Sequence, residues 1–228
     1  MKRLLFILLL AGFSSGYISG QSFLQPEYGM KSHETLMINK IEVTSKAVTF
    51  FLSITNKIEG GNFCADQNIF MIYPDGTRKK VISATGIPVC PDTYKFKSPG
   101  ESLDFVLTFP PLMQGTKWVD LVEDCADNCF SFYGITLDNE LNKRIEEAFL
   151  FVDNGEPVKG MISLMNIVEE TDKLNNGIEG LLYSSIIKLA RETGNGVRAA
   201  EWYNKLKTSG APRSLEYLKY LNDQGIKY

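Results

Sequence analysis

Four cysteines and a few neighbouring oxygen ligands are the residues of this chain best suited to chemistry. Cys125 and Cys129 stand four apart in Asp124-Cys125-Ala126-Asp127-Asn128-Cys129, and Cys64 and Cys90 lie upstream. Such a pair could exchange electrons, hold zinc or close as a disulfide, while Asp124, Asp127 and Asn128 could hold calcium. Most of these chemistries demand more than the stretch supplies. A redox pair usually has two residues between its cysteines at a helix start. Here three intervene, and the flanking acids oppose a thiolate. Zinc needs further ligands, and the single histidine, His33, is distant in sequence. The glycine and spacing of an EF-hand loop are missing. A disulfide needs only an oxidising compartment.

The N-terminus points to such a compartment. Lys2 and Arg3 precede the apolar run Leu4–Ala11, and the small residues Gly12, Ser14, Ser15, Gly16, Ser19 and Gly20 follow. This is the three-part pattern of a signal peptide, here residues 1–20. The apolar run is shorter than the roughly 20 residues that span a bilayer. Cleavage is expected after Gly20, with Gly16 as the second choice. No cysteine lies near either point, so the exported chain is not expected to be lipid-anchored. No later segment reads as a transmembrane span. The chain is read as periplasmic or extracellular, and its lack of an Asn-x-Ser/Thr sequon favours bacterial secretion. N-terminal sequencing of exported protein is expected to begin at Gln21; a chain still starting at Met1 would overturn this localisation.

In an exported chain, Cys64, Cys90, Cys125 and Cys129 are expected to form two disulfides. Three pairings are open, and geometry favours one. The turn Pro74-Asp75-Gly76-Thr77 folds two strands together. Partners across it should sum to about 151, counting outward from the turn, which brings Cys64 near Cys90. Cys125 then pairs with Cys129. Loop entropy gives about 3.6 kcal/mol for the longer loop and about 2 for the shorter.

Two kinds of element must position these residues. From about 34 to 137, short apolar and β-branched runs alternate with Pro-, Gly- and Asn-rich turns. Strands are expected at 36–43, 47–55, 69–73, 79–84, 94–97, 103–109, 118–123 and 130–137. Their spacing suggests an antiparallel β-sandwich over 21–137. Over 138–228 the period changes to that of helices. The first carries Leu141, Ile145, Ala148, Phe149 and Val152, capped by Asp138 or Asn139 and ended by Gly155. The second begins at Pro157 and carries Val158, Met161, Ile162, Met165 and Val168. The third carries Leu182, Ile186, Leu189 and Ala190 and closes at Gly194. The fourth carries Val197, Ala200, Tyr203 and Leu206 and closes at Gly210. The fifth opens at Pro212 and carries Leu215, Leu218 and Leu221. The segments from Gly155 and from Gly194 align at an offset of 39 residues. A helix-pair period of this size marks a helical repeat. The fold class is therefore α+β, a β-sandwich followed by a helical-hairpin domain.

Ala199-Ala200-Glu201-Trp202-Tyr203-Asn204-Lys205, followed by Gly210, resembles the second helix of tetratricopeptide-related repeats of the Sel type. Lys207 departs from that pattern, which usually has alanine there. The β part loosely resembles immunoglobulin-like domains of secreted Bacteroidetes proteins, through Leu107-Thr108-Phe109-Pro110-Pro111, Gly115-Thr116-Lys117 and Asp120-Leu121. The first resemblance implies a concave helical surface suited to a protein or peptide; no activity is attached to the second.

Catalytic signatures are sparse. Ser-His-Asp or Cys-His chemistry would need His33, which reads as a surface residue before the first strand. No phosphate-binding or dinucleotide motif appears, and no cofactor or metal is expected. A carboxylate pair could still meet from distant parts of the fold. Asp120, Glu123 and Asp124 form the densest acidic group, read as a charged strand end. Arg78-Lys79-Lys80 reads as a solvated edge that discourages strand pairing. Without Lys2 and Arg3 the chain has 22 basic and 27 acidic residues, a net charge of −5 that does not suit nucleic acid. The function expected is a non-catalytic exported interaction protein. Its partner would be a protein or peptide contacting Lys188, Arg191 and Trp202, with Ser184 on the same helix face. The alternative is a glycan on sandwich aromatics such as Trp118, Tyr94 or Phe96.

Overall fold

Strict alternation of apolar and polar residues builds one sheet, and near-continuous burial marks the other. The structure is a computed structural model that describes residues 20–171 and 175–228. The expected leader, apart from Gly20, lies outside the described residues. The strands are β1 (Gln21–Leu24), β2 (Met30–Lys31), β3 (Leu36–Val43), β4 (Val48–Thr55), β5 (Asn62–Phe63), β6 (Ile69–Ile72), β7 (Arg78–Lys80), β8 (Ser83–Thr85), β9 (Tyr94–Lys95), β10 (Ser102–Phe109), β11 (Trp118–Glu123) and β12 (Ser131–Thr136). The first sheet has the order β1-β3-β4-β10-β8, and the second β2-β12-β11-β6-β7; β5 and β9 form a small ribbon. The paired strands in each are antiparallel. Alternate residues of β4 and β10 enter a core shared by both sheets, including Phe50, Leu52, Phe105 and Leu107. This is the period-two burial expected of a sheet with one wet face.

Five helices follow: α1 (Asn139–Asp153), α2 (Pro157–Thr171), α3 (Glu179–Glu192), α4 (Gly196–Thr208) and α5 (Ser214–Asp223). Asp138 caps α1 by accepting the amides of Glu140 and Leu141, each at 3.1 Å. Gly155 and Gly194 follow α1 and α3 with φ of 78° and 77°. That left-handed geometry suits a glycine where a helix must end. The helices bury a second apolar cluster, from Leu141 to Ile226, distinct from the cluster of the sheets. No helix of the described residues is long and apolar enough to cross a membrane.

Several helix faces are rotated from the expected ones. Val158, Ile162, Val197 and Leu215 are exposed, while Leu164, Ile167, Ala199, Trp202 and Tyr217 are buried in their helices. Each exposed residue lies in the first two turns of its helix, where fewer neighbouring turns constrain which face is covered. The helix α5 also begins later than expected. Arg213 precedes it in the left-handed region, at φ 57°.

The cysteines pair as Cys64–Cys90 and Cys125–Cys129. The route to the first bond differs from the hairpin argument. Across the turn, Ile72 faces Arg78 and Phe70 faces Lys80, one residue tighter than expected. The hairpin ends there, and β8 crosses to the other sheet to pair with β10. Cys64 and Cys90 meet through a parallel bridge between Ala65 and Val89, where the Cys90 amide donates to the Ala65 carbonyl at 3.0 Å. Replacing Cys125 and Cys129 by serine is expected to destabilise the protein by about 2 kcal/mol, read as a lower urea midpoint.

The strand and helical parts meet along a seam built with glycine. Trp118 and Asp120 of β11 face away from the sheet core, and both are buried. The helical part covers this face, which explains the almost continuous burial of β11 and β12. Gly134 sits at φ 66°, where an added Cβ would lie 2.1 Å from the Gly177 carbonyl oxygen. A Cβ on Gly177 would meet the Trp118 ring at 2.4 Å, and Cβ atoms on Gly29 and Gly180 would meet Tyr217 at 2.3 and 2.2 Å. Trp118 Nε1 donates to Asn175 Oδ1 at 2.8 Å across the seam.

Candidate functional site

The segment after β1 is held from both sides. The Glu27 carbonyl accepts from the Thr136 amide at 2.9 Å, and the Gly29 amide donates to Tyr133 at 2.8 Å. From the other side, Asn142 of α1 accepts the Glu27 amide on Oδ1 at 3.1 Å. Between this segment, β1 and α1 lies a cleft of about 880 Å³. Its polar walls carry Glu27, Asn139, Asn142, Lys143 and Glu146, and its apolar walls include Met37, Ile38, Phe149 and Leu181.

Three groups in this cleft are chemically unfinished. The carboxylates of Glu27 and Glu146 have no hydrogen-bond or ion-pair partner among the described residues. Asn142 is 8% exposed, its Oδ1 is committed to Glu27, and its Nδ2 is buried without an acceptor. A buried donor left without a partner is uncommon and unfavourable. Burial, with Glu146 as the second cause, raises the Glu27 pKa to about 7. A carboxylate there, beside a second acid, is poised to accept a cation or a proton.

The raised pKa fixes a pH dependence. Glu27 binds a proton more tightly folded than unfolded, so its stabilising share is full below pH 4.5 and is lost as pH rises through about 7. Burial shifts Glu123 and Glu179 in the same direction. Stability is therefore expected to fall from pH 5 to pH 8. Glu27→Gln should flatten part of this fall, gaining about 2 kcal/mol at pH 8 after allowance for solvent screening and almost nothing at pH 4. Denaturation at the two pH values checks the sign.

The residues expected on a concave helical face are otherwise occupied. Lys188 Nζ donates to the Tyr220 hydroxyl at 3.2 Å, and Arg191 donates to the Gly225 carbonyl at 2.9 Å. Their helix, α3, is covered here by α5 and the segment after it, and Ser184 is buried. Trp202 is 1% exposed, tilted against Tyr183 and overlaid by Lys205 at 4.2 Å. It is a core residue and offers no anchor surface. The structure thus brings Lys188 and Arg191 together against α5 and leaves Trp202 inside.

The aromatics expected to face a glycan do not form a platform either. Trp118 lies in the seam, Phe96 is buried, and Tyr94 meets Phe96 edge-on at 73°. His33 is half-buried, with Nδ1 2.8 Å from Ser32 Oγ and its ring edge-on to Phe63. This corrects its reading as a simple surface residue. The acidic group of β11 separates into three roles. Asp120 pairs with Arg213 at 2.8 Å, Asp124 pairs with Arg78 at 3.1 Å, and Glu123 accepts the amides of Asp66 and Phe130 at 2.7 and 3.0 Å. Arg78-Lys79-Lys80 forms β7, at the edge of its sheet. Glu27, Asn142 and Glu146 carried no shared motif: 115 residues separate Glu27 from Asn142. Only the polar Asn142 one residue after Leu141, on the buried side of α1, hinted at a site.

No family model matches this chain, and no curated protein or solved structure shows a match to it.

Proposed function

We propose that this is an exported, non-catalytic binding protein that holds a protein or peptide partner in the cleft between β1 and α1. The observation that carries the reading is the buried Asn142 Nδ2, set beside two carboxylates in an open cleft, all three without a partner among the described residues. The helical part still supplies a wall of the site, through α1 rather than through the α3 face. The two disulfides and the signal-like leader support export. The two sheets around one core support an immunoglobulin-like sandwich. The glycine-ended pairs α1–α2 and α3–α4 support a short array of tetratricopeptide-related hairpins closed by α5.

Site-specific photo-cross-linking in the native exported state tests this. A photoreactive residue at Leu24, which is exposed and lines the cleft, should capture a partner. The same residue at Lys79, on the edge strand β7, should not. Equal capture from both positions, or none from Leu24, would overturn the reading.

A further inference from the structure

The cleft runs along a strand edge as well as beside two acids. In the first sheet β1 is an outermost strand, paired on one side with β3. The Ser22 carbonyl accepts from Asn139 Nδ2 of α1 at 3.0 Å, so Ser22 directs its backbone groups away from β3. In an antiparallel strand the groups of every second residue point the same way. Leu24 therefore also presents its amide and carbonyl outward, at the mouth of the cleft. The Ser22 carbonyl is taken by Asn139, so the Leu24 amide and carbonyl are the groups that can pair with an added strand, with pockets beside them selecting side chains.

The side chain such a pocket selects follows from its charge. Glu27 and Glu146 are acidic and have no cationic partner among the described residues, while Lys143 of α1 leans to Glu147 at 3.8 Å and is largely exposed. The remaining walls near them are neutral: Tyr28, Met37, Ile38, Phe149 and Leu181. An aliphatic stem can lie on the apolar residues while its cationic head reaches the acids. Asn142 Nδ2 asks for a carbonyl, which a peptide supplies and a simple amine does not.

We infer that the partner is an extended peptide segment carrying a lysine or arginine, laid along β1 with its cationic head between Glu27 and Glu146 and a backbone carbonyl on Asn142 Nδ2. This rests on the proposed function and names the partner's chemistry. Binding and folding then respond to pH in opposite senses. Below neutral pH, Glu27 is protonated, which suits the empty cleft. A cation prefers Glu27 ionised, so binding should strengthen as pH rises through about 7 and should release a proton. Glu146 of α1 and Tyr28 beside it in the chain act on Glu27, and Lys143 of α1 lines the same cleft; lysine and arginine stay charged throughout this range.

The test uses the whole exported chain and blocked pentapeptides, acetyl-Thr-Val-Lys-Val-Thr-amide and its norleucine counterpart, titrated by calorimetry and by NMR of the Asn142 side-chain amide. The lysine peptide should bind at least tenfold more tightly at about pH 8 than at about pH 5.5, in proportion to Glu27 ionisation. The norleucine peptide should bind at least tenfold more weakly at the higher pH. Glu27→Gln, which removes a desolvated charge and should fold at least as well, is expected to abolish the pH difference and to narrow the preference for lysine over norleucine; Glu146→Gln should weaken the lysine peptide alone. Equal affinities for the two peptides, or no binding of the lysine peptide at millimolar concentration, would overturn the inference. So would n-butylammonium binding as tightly as the lysine peptide, which would mark a site for a small free cation. Cross-linking from Leu24 distinguishes the failures. Capture there without lysine selectivity leaves the cleft a binding site but refutes its ligand class.

Discussion

Gly134→Ala is expected to destabilise the protein by about 2–5 kcal/mol, more than alanine at a positive-φ glycine with open space around it, such as Gly155. Two effects add at this position. The left-handed backbone disfavours any Cβ by about 1–2 kcal/mol. The Cβ would also stand 2.1 Å from the Gly177 carbonyl, a backbone atom that cannot rotate away. Relief would require parting the β12 segment from the loop before α3, and overpacking of this kind usually adds about 1–3 kcal/mol. Gly155→Ala is the control, because Gly155 has φ 78° with nothing within 4 Å of its added Cβ. Chemical denaturation followed by tryptophan fluorescence reports both parts, since Trp118 lies in the seam and Trp202 in the helical core. Similar losses for the two variants would show that close approach at Gly134 contributes little.

Gly134 also shows why the seam could not be read from sequence. The alternation of Leu103–Phe109 and the caps and terminal glycines of the helices are local signals, and they placed most elements. A glycine needed for close approach looks the same in sequence as one needed for a turn. β11 and β12 did carry a trace: Trp118-Val119-Asp120-Leu121-Val122 departs from clean alternation, as a strand covered on both faces must. The same limit applied to the cleft. Its acids come from a loop after the first strand and from α1, and only tertiary packing joins them. Trp202 illustrates the reverse error. An aromatic pair on a helix has one member facing inward by geometry, yet here both Trp202 and Tyr203 are buried, because α3 covers one and α5 the other. The disulfide pairing followed from a register argument whose final steps the fold does not use, since β8 changes sheets before the cysteines meet.

Removing the arginine of the seam should rank with the glycine substitution, and its partner supplies the test of cause. Asp120 lies opposite a bulge: one residue of β11 faces Tyr133 and Gly134 of β12, between the pairs Val119–Ile135 and Leu121–Phe132. The irregularity lets Asp120 Oδ1 accept the Gly134 amide at 2.7 Å, while Oδ2 faces Arg213 at 2.8 Å. Arg213 stacks on Tyr133 with its guanidinium carbon 3.6 Å from the ring centroid. Asp120 is 6% exposed, so Arg213→Met would leave a buried charge with only a peptide amide beside it. A loss of about 3–5 kcal/mol is expected from that imbalance. Asp120→Asn keeps an oxygen for the Gly134 amide and removes the charge. Combined with Arg213→Met it should recover most of the loss, because a neutral pair no longer carries an uncompensated ion. A double-mutant cycle by urea denaturation near neutral pH measures the coupling. If the double variant is as unstable as the sum of the singles, then Arg213 acts through its stacking on Tyr133 and its place before α5, and not through the charge on Asp120.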